Sequence, residues 1–138
     1  MMEQTDSWSS RSLTERLNYV QTRLHGPLLE QIERASRDLA RSPDAATAAV
    51  APLLDTVERH LHQSDGALFA LLRAGLVAPA IAGLRSSHAS LVGTLDQLRT
   101  LANLLPPATA DRVRTLSETI RATLAAEVDL LVPAVTLG

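Results

Sequence analysis

Apolar residues recur along this chain in steps of three and four, the spacing of helices that bury one face. One series is Ile81, Leu84, His88, Leu91, Leu95, Leu98 and Ala102; a later one is Val113, Leu116, Ile120, Thr123, Glu127, Leu130 and Ala134. Upstream, Val50, Leu53, Val57, His60, Ser64, Ala67 and Leu71 give a third, and His25, Leu28, Ile32, Ala35 and Leu39 a less regular fourth. Prolines and glycines mark the ends. Ser12-Leu13-Thr14-Glu15 has capping-box spacing and opens a first helix that runs to about Arg41. Ser42-Pro43 predicts the N-cap and first residue of a second helix ending near Gly75. Pro79 is expected to open a third, which stops before Pro106-Pro107, where a fourth starts and runs to about Pro133. Pro27 inside the first helix predicts a kink within one turn of His25, because its ring clashes with the Arg23 carbonyl and leaves it unbonded. Long helices with short connections favour antiparallel neighbours, so the expected fold is an all-α, up-down-up-down four-helix bundle over residues 12–138, preceded by a disordered polar segment at 1–11.

A shift of 63 residues, or nine heptads, lays one half of the chain on the other. Leu17 to Leu39 falls on Ala80 to Ala102, and Leu53 to Leu72 on Leu116 to Val135; His25 lands on His88, His60 on Thr123 and Ser64 on Glu127. A whole number of heptads keeps each seam position on its seam, so the pattern predicts two helical-hairpin repeats whose inward polar residues meet at mid-height.

Composition narrows the chemistry. Trp8, Tyr19 and Phe69 are the only aromatics among 138 residues, so the core must be Leu, Ala, Val and Ile. All 13 basic residues are Arg, yet the net charge is −2, which gives no excess to neutralise phosphates and argues against nucleic acid. The absence of Cys excludes disulfides, thiolate metal sites and cysteine nucleophiles. With no long uncharged apolar run and a polar N-terminus, neither a membrane span nor a signal peptide is expected, and the chain is read as cytoplasmic. Mixed-charge helix faces and few aromatics predict a monomer or weak homodimer.

The informative residues are the ionisable ones on the seams. His25, His60, His88 and Glu127 fall where a plain bundle would carry Leu or Ala. Buried ionisable groups persist only when something satisfies them, and imidazoles converging with a carboxylate suit a first-row metal ion. Asp65 and His62 fall off this seam, by about 100° and 200° of helix rotation, and are expected at the surface.

These residues resemble the hemerythrin-like, or HHE cation-binding, family, most closely the di-iron domain of iron-sulfur cluster repair proteins induced by nitric oxide. The resemblance is carried by Leu17-Asn18-Tyr19-Val20 ahead of His25, by His60 followed by Leu68-Phe69, by His88, and by Glu127 followed by Leu130-Leu131-Val132-Pro133. It implies a His on one helix and His-x-x-x-Glu on the next, given twice, holding non-heme iron. This chain departs from that pattern with Ser64 at the first carboxylate and Thr123 at the second histidine. The remaining set implies one iron rather than a pair: His25, His60 and Glu127 as a two-His-one-carboxylate site, His88 as a fourth ligand that zinc could also use, and Ser64 and Thr123 as supporting hydroxyls. The implied role is a response to dioxygen, nitric oxide or oxidative and nitrosative stress, with a diatomic molecule or peroxide as ligand. The alternative is a bundle that holds no metal and acts as a binding or scaffolding module. Whether it turns over a substrate is open; a hydrolase is disfavoured, since Ser64 near His60 lacks an oxyanion donor.

Overall fold

A computed structural model describes residues 12–137, with side chains to Val132; the segment 1–11, expected to be disordered, lies outside the described residues. Every element described is helical. The first rod comprises α1 (Leu13–Tyr19), a π-helical segment (Val20–His25) and α2 (Gly26–Ala40). After the short α3 (Ala45–Ala48), the second rod comprises α4 (Val50–Gln63), a second π segment (Ser64–Leu68) and α5 (Phe69–Arg73). The third and fourth rods are unbroken: α6 (Val77–Ala102) and α7 (Pro107–Leu137). Each rod packs on its predecessor and the fourth closes on the first. No helix among the described residues is long and apolar enough to cross a membrane.

The element ends follow local chemistry. Ser12 Oγ accepts from the Glu15 N–H, starting α1. The second cap differs from expectation: Asp44, not Ser42, is the N-cap, accepting from both the N–H and the hydroxyl of Thr47, while Ser42 Oγ is engaged by the Asp44 N–H. Gly75 closes α5 at φ +79°, with Leu76 N–H bonded to Leu71 O and Gly75 N–H to Leu72 O, a Schellman ending that needs the left-handed conformation. Helix α6 starts two residues before Pro79, which sits in the first turn where no intrahelical N–H is missed. Helix α7 also runs past Pro133 rather than ending there; nearby, Arg16 Nη1 donates to the Leu130 carbonyl at 2.8 Å. At Pro27 the irregularity is a π turn: the Gly26 N–H reaches back to Gln21 O, and α2 resumes with the proline in its first turn.

The seam of the second rod lies one residue later than expected. Val50, Val57 and Ser64 are buried, but they are joined by Leu54, Leu61, Leu68 and Leu72, whereas Leu53, His60 and Leu71 are half-buried and Ala67 is exposed. Two heptad stripes share the same three residues here. The one chosen buries four leucines in place of two leucines, an alanine and a histidine, and each fully buried Leu is worth about 1.5–3 kcal/mol. This choice moves His60 to the flank.

The apolar interior forms two clusters. The larger joins Leu28 to Leu39, Val50 to Leu61, Leu91 to Leu105 and Ala110 to Leu124; the smaller joins Leu17, Val20, Leu68, Phe69, Leu72, Ala80, Leu84, Leu130 and Leu131. Between them, on all four rods, lies a polar layer.

Candidate functional site

Four rods supply this layer: His25 closes the first π segment, Ser64 and Asp65 open the second, and His88 and Glu127 come from α6 and α7. His25 is fully buried and Glu127 is 1% exposed. The His25 ring is held on three sides. Its Nδ1 lies 2.6 Å from Asp65 Oδ1, its Nε2 lies 3.2 Å from Glu127 Oε2, and its face stacks on Phe69 with ring centres 6.0 Å apart. His88 Nε2 approaches the same Glu127 oxygen at 3.6 Å, beyond hydrogen-bond reach. His88 Nε2 thus has no hydrogen-bond partner, and neither has the other Glu127 oxygen, Oε1; both atoms are buried.

The electrostatics follow from these distances. Burial by itself lowers the His25 pKa, but hydrogen bonds and charge from Asp65 and Glu127 outweigh it and raise the value from 6.5 to about 9. Burial would likewise raise Glu127; the contacts with His25 and His88 prevail and hold it below the usual carboxylate range. The two flanking carboxyl groups thus favour the protonated form of His25, with His88 at the edge of the cluster.

The structure brings His25, His88 and Glu127 together. His60 stands half-buried on the wall of an open groove of about 320 Å³, shared with Ser64, Ser86, Ser87 and Ser90. Buried Ser64 also lines that groove, and the Thr123 hydroxyl donates to Thr119 O within its own helix at 2.9 Å. His62 is exposed beside Glu58, as expected. Asp65 is the correction: expected at the surface, it is only 24% exposed and bonded to the buried His25. The cause is the seam choice. With Leu61 at the centre of the buried face, Asp65 lies about 40° from it while Ser64 lies about 60° to the other side and His60 about 100° away. The π segment then lets Phe69 N–H bond to Ser64 O, and the Gln21 side chain donates to the Asp65 carbonyl, tying the two π segments together. Taking Leu54, Leu61, Leu68 and Leu72 as the seam was the signal that would have found Asp65.

Two imidazole Nε2 atoms within 3.2 and 3.6 Å of one carboxylate oxygen are separated as neighbouring ligands of one ion with bonds of about 2.0–2.2 Å would be. In kind, imidazole nitrogens and a carboxylate are donors that a first-row metal takes. Among the described residues, no group of three or more His, Cys, Asp and Glu side chains is placed so that it could hold a metal ion.

Comparison with known proteins gives one relationship of note. The chain is 25% identical to the iron-sulfur cluster repair protein YtfE of Musicola paradisiaca (strain Ech703), in a 118-residue alignment that takes in 75% of this chain and 53% of that protein. The chain thus matches about half the length of this curated relative. No family model and no solved structure matches it.

Proposed function

We propose that this chain is a hemerythrin-like metal-binding protein: an up-down-up-down bundle of two hairpin repeats that holds one non-heme iron in its polar layer and serves a response to dioxygen, nitric oxide, or oxidative or nitrosative stress. The observation that carries this reading is the pair of unpartnered buried atoms, His88 Nε2 and Glu127 Oε1, set against a second imidazole. Buried polar groups without partners are rare, and a shared cation would satisfy both. The similarity to an iron-sulfur cluster repair protein supports iron as the metal. His25 Nε2, His88 Nε2 and the Glu127 carboxylate would hold it, with His60 as the further donor to be tested. When bound, the metal supplies open coordination positions for a small ligand and a redox centre. The protein's own groups do the rest: Glu127 would balance the cation's charge, Phe69 stacks on the His25 ring, and the two apolar clusters flank the layer.

A second reading rests on a specific observation. His25 is satisfied by Asp65 and Glu127 without any metal, so the same layer could serve a metal-free scaffold. His25→Ala stability does not separate these readings, because either way the change leaves Glu127 buried with one fewer partner. Metal content does. Protein purified without a His-tag and reconstituted anaerobically with Fe(II) should bind about one equivalent, and Glu127→Ala should abolish this. No retained iron or zinc after reconstitution would overturn the metal reading; a near-ultraviolet oxo-bridged band with two equivalents would replace one ion by a pair.

A further inference from the structure

The layer contains a carboxylate that the metal reading does not use. Asp65 faces His25 Nδ1, the ring nitrogen on the far side from Glu127. The two contacts of that ring are unequal, 2.6 Å to Asp65 and 3.2 Å to Glu127. Short contacts between charged partners mark the stronger hydrogen bond, so the proton that a neutral His25 retains belongs on Nδ1. The place of Asp65 is enforced from behind: the Gln21 amide holds its carbonyl at 3.2 Å, and Arg73 in turn donates to Gln21 Oε1 at 3.3 Å. Phe69 stacks on the ring and opposes its rotation.

We propose that Asp65 is the positioning residue of the site: by accepting from His25 Nδ1–H it fixes the tautomer and turns the Nε2 lone pair toward His88 and Glu127. This deepens the metal reading and rests on it, since a lone pair aimed at that spot is what a cation there needs. Carboxylates behind metal-bound histidines act in this way, orienting the ring and strengthening its basicity. Here the role falls to a residue one position beyond the Ser64 that stands on the seam, and it is the π segment and its Gln21 tie that deliver it.

The test uses the full chain and two readouts. In EDTA-treated protein, at a pH where nitrogen NMR itself shows the His25 ring to be neutral, Nδ1 should be protonated and Nε2 bare. Asp65→Ala should move the proton to Nε2, facing Glu127. Asp65→Asn, whose side-chain oxygen still accepts, should keep the wild-type tautomer, and it covers the case in which the alanine variant does not fold. A proton on Nε2 in the wild type, or an unchanged tautomer in Asp65→Ala, overturns the proposal. In zinc and cobalt(II) titrations Asp65→Ala should weaken binding about 10–100-fold, with Asp65→Asn closer to wild type. An Asp65→Ala variant that melts lower yet binds metal as tightly as wild type would make Asp65 a structural anchor and overturn the proposal. A wild-type chain that binds neither metal defeats the metal reading, while the tautomer measurement still decides what Asp65 does to His25.

Discussion

The two hairpins of this bundle solve the same problem differently. The second, α6 and α7, is unbroken α-helix, and its seam residues Leu91, Leu95, Leu98, Val113, Leu116 and Ile120 are buried as a heptad pattern requires. His88 and Glu127 are placed by period alone. The first hairpin is interrupted twice, at Val20–His25 and Ser64–Leu68, and shifting either segment by 63 residues lands it on continuous α-helix. Its polar contributions, His25 and Asp65, sit at the end of one interruption and the start of the other. A strict period suffices to point one carboxylate inward. Holding a second carboxylate against the back of an imidazole takes local loosening of the helix, a use for which π segments are well suited.

The sharpest way to break this comparison is to challenge the register of the second rod. Leu61→Ala should cost about 2–5 kcal/mol in urea unfolding, as a buried leucine lost from a packed core does. His60→Ala, at the flank, should change stability by no more than about 0.5 kcal/mol. Equal effects would place both residues on the seam and restore the stricter period to the first hairpin. The same His60→Ala protein, assayed for bound iron, reports whether that side chain reaches the metal.

A smaller effect joins the hairpins through His25 and Glu127. The folded protein holds the His25 proton to about pH 9, whereas the unfolded chain releases it near 6.5. This stabilisation is therefore complete below pH 6.5 and is lost as pH rises to about 9, because the unfolded state then binds fewer protons than the folded one. Metal-free protein should lose roughly 2–4 kcal/mol across that interval, seen as a falling Tm. Glu127, held low, contributes with the opposite sign, present above the ordinary carboxylate pKa and lost as pH falls below it; it is the same pair seen from the acid side. In the Glu127→Gln variant the decline between pH 6.5 and 9 should shrink. An undiminished slope would mean that the hairpins are not coupled through this contact.

A smaller loss is expected where the second rod joins the third. Gly75→Ala forces a side chain into φ +79° and should cost about 1 kcal/mol, although open space surrounds the position. A neutral result would show that the ending of α5 relaxes independently of the rods it connects.

Much of the architecture was legible in the sequence because it depends on short-range rules. Steps of three and four marked the four rods, Pro107 marked the start of α7, and Ser12 with Glu15 marked the start of α1. Glu127 could be picked out as buried because it stands on a regular stripe, and His25 because Leu28, Ile32, Ala35 and Leu39 continue its less regular one. The second rod is ambiguous for a physical reason: Val50, Val57 and Ser64 belong to two stripes at once, and pattern alone does not decide whether Leu61 or His60 completes them. The placement of Asp65 turns on the same choice. Ser42 and Asp44 competed for one N-cap two residues apart, a choice settled by which side chain reaches Thr47.

By itself, then, the sequence determined an all-helical chain with ionisable residues at inward positions, since periodicity and residue chemistry are properties of each segment alone. Only the tertiary structure decided which imidazoles share a carboxylate, that Asp65 backs His25, and that His60 stands aside. Those outcomes depend on the relative rotation of neighbouring rods, which is set by packing four leucines of the second rod against its neighbours and by π turns that no heptad count contains.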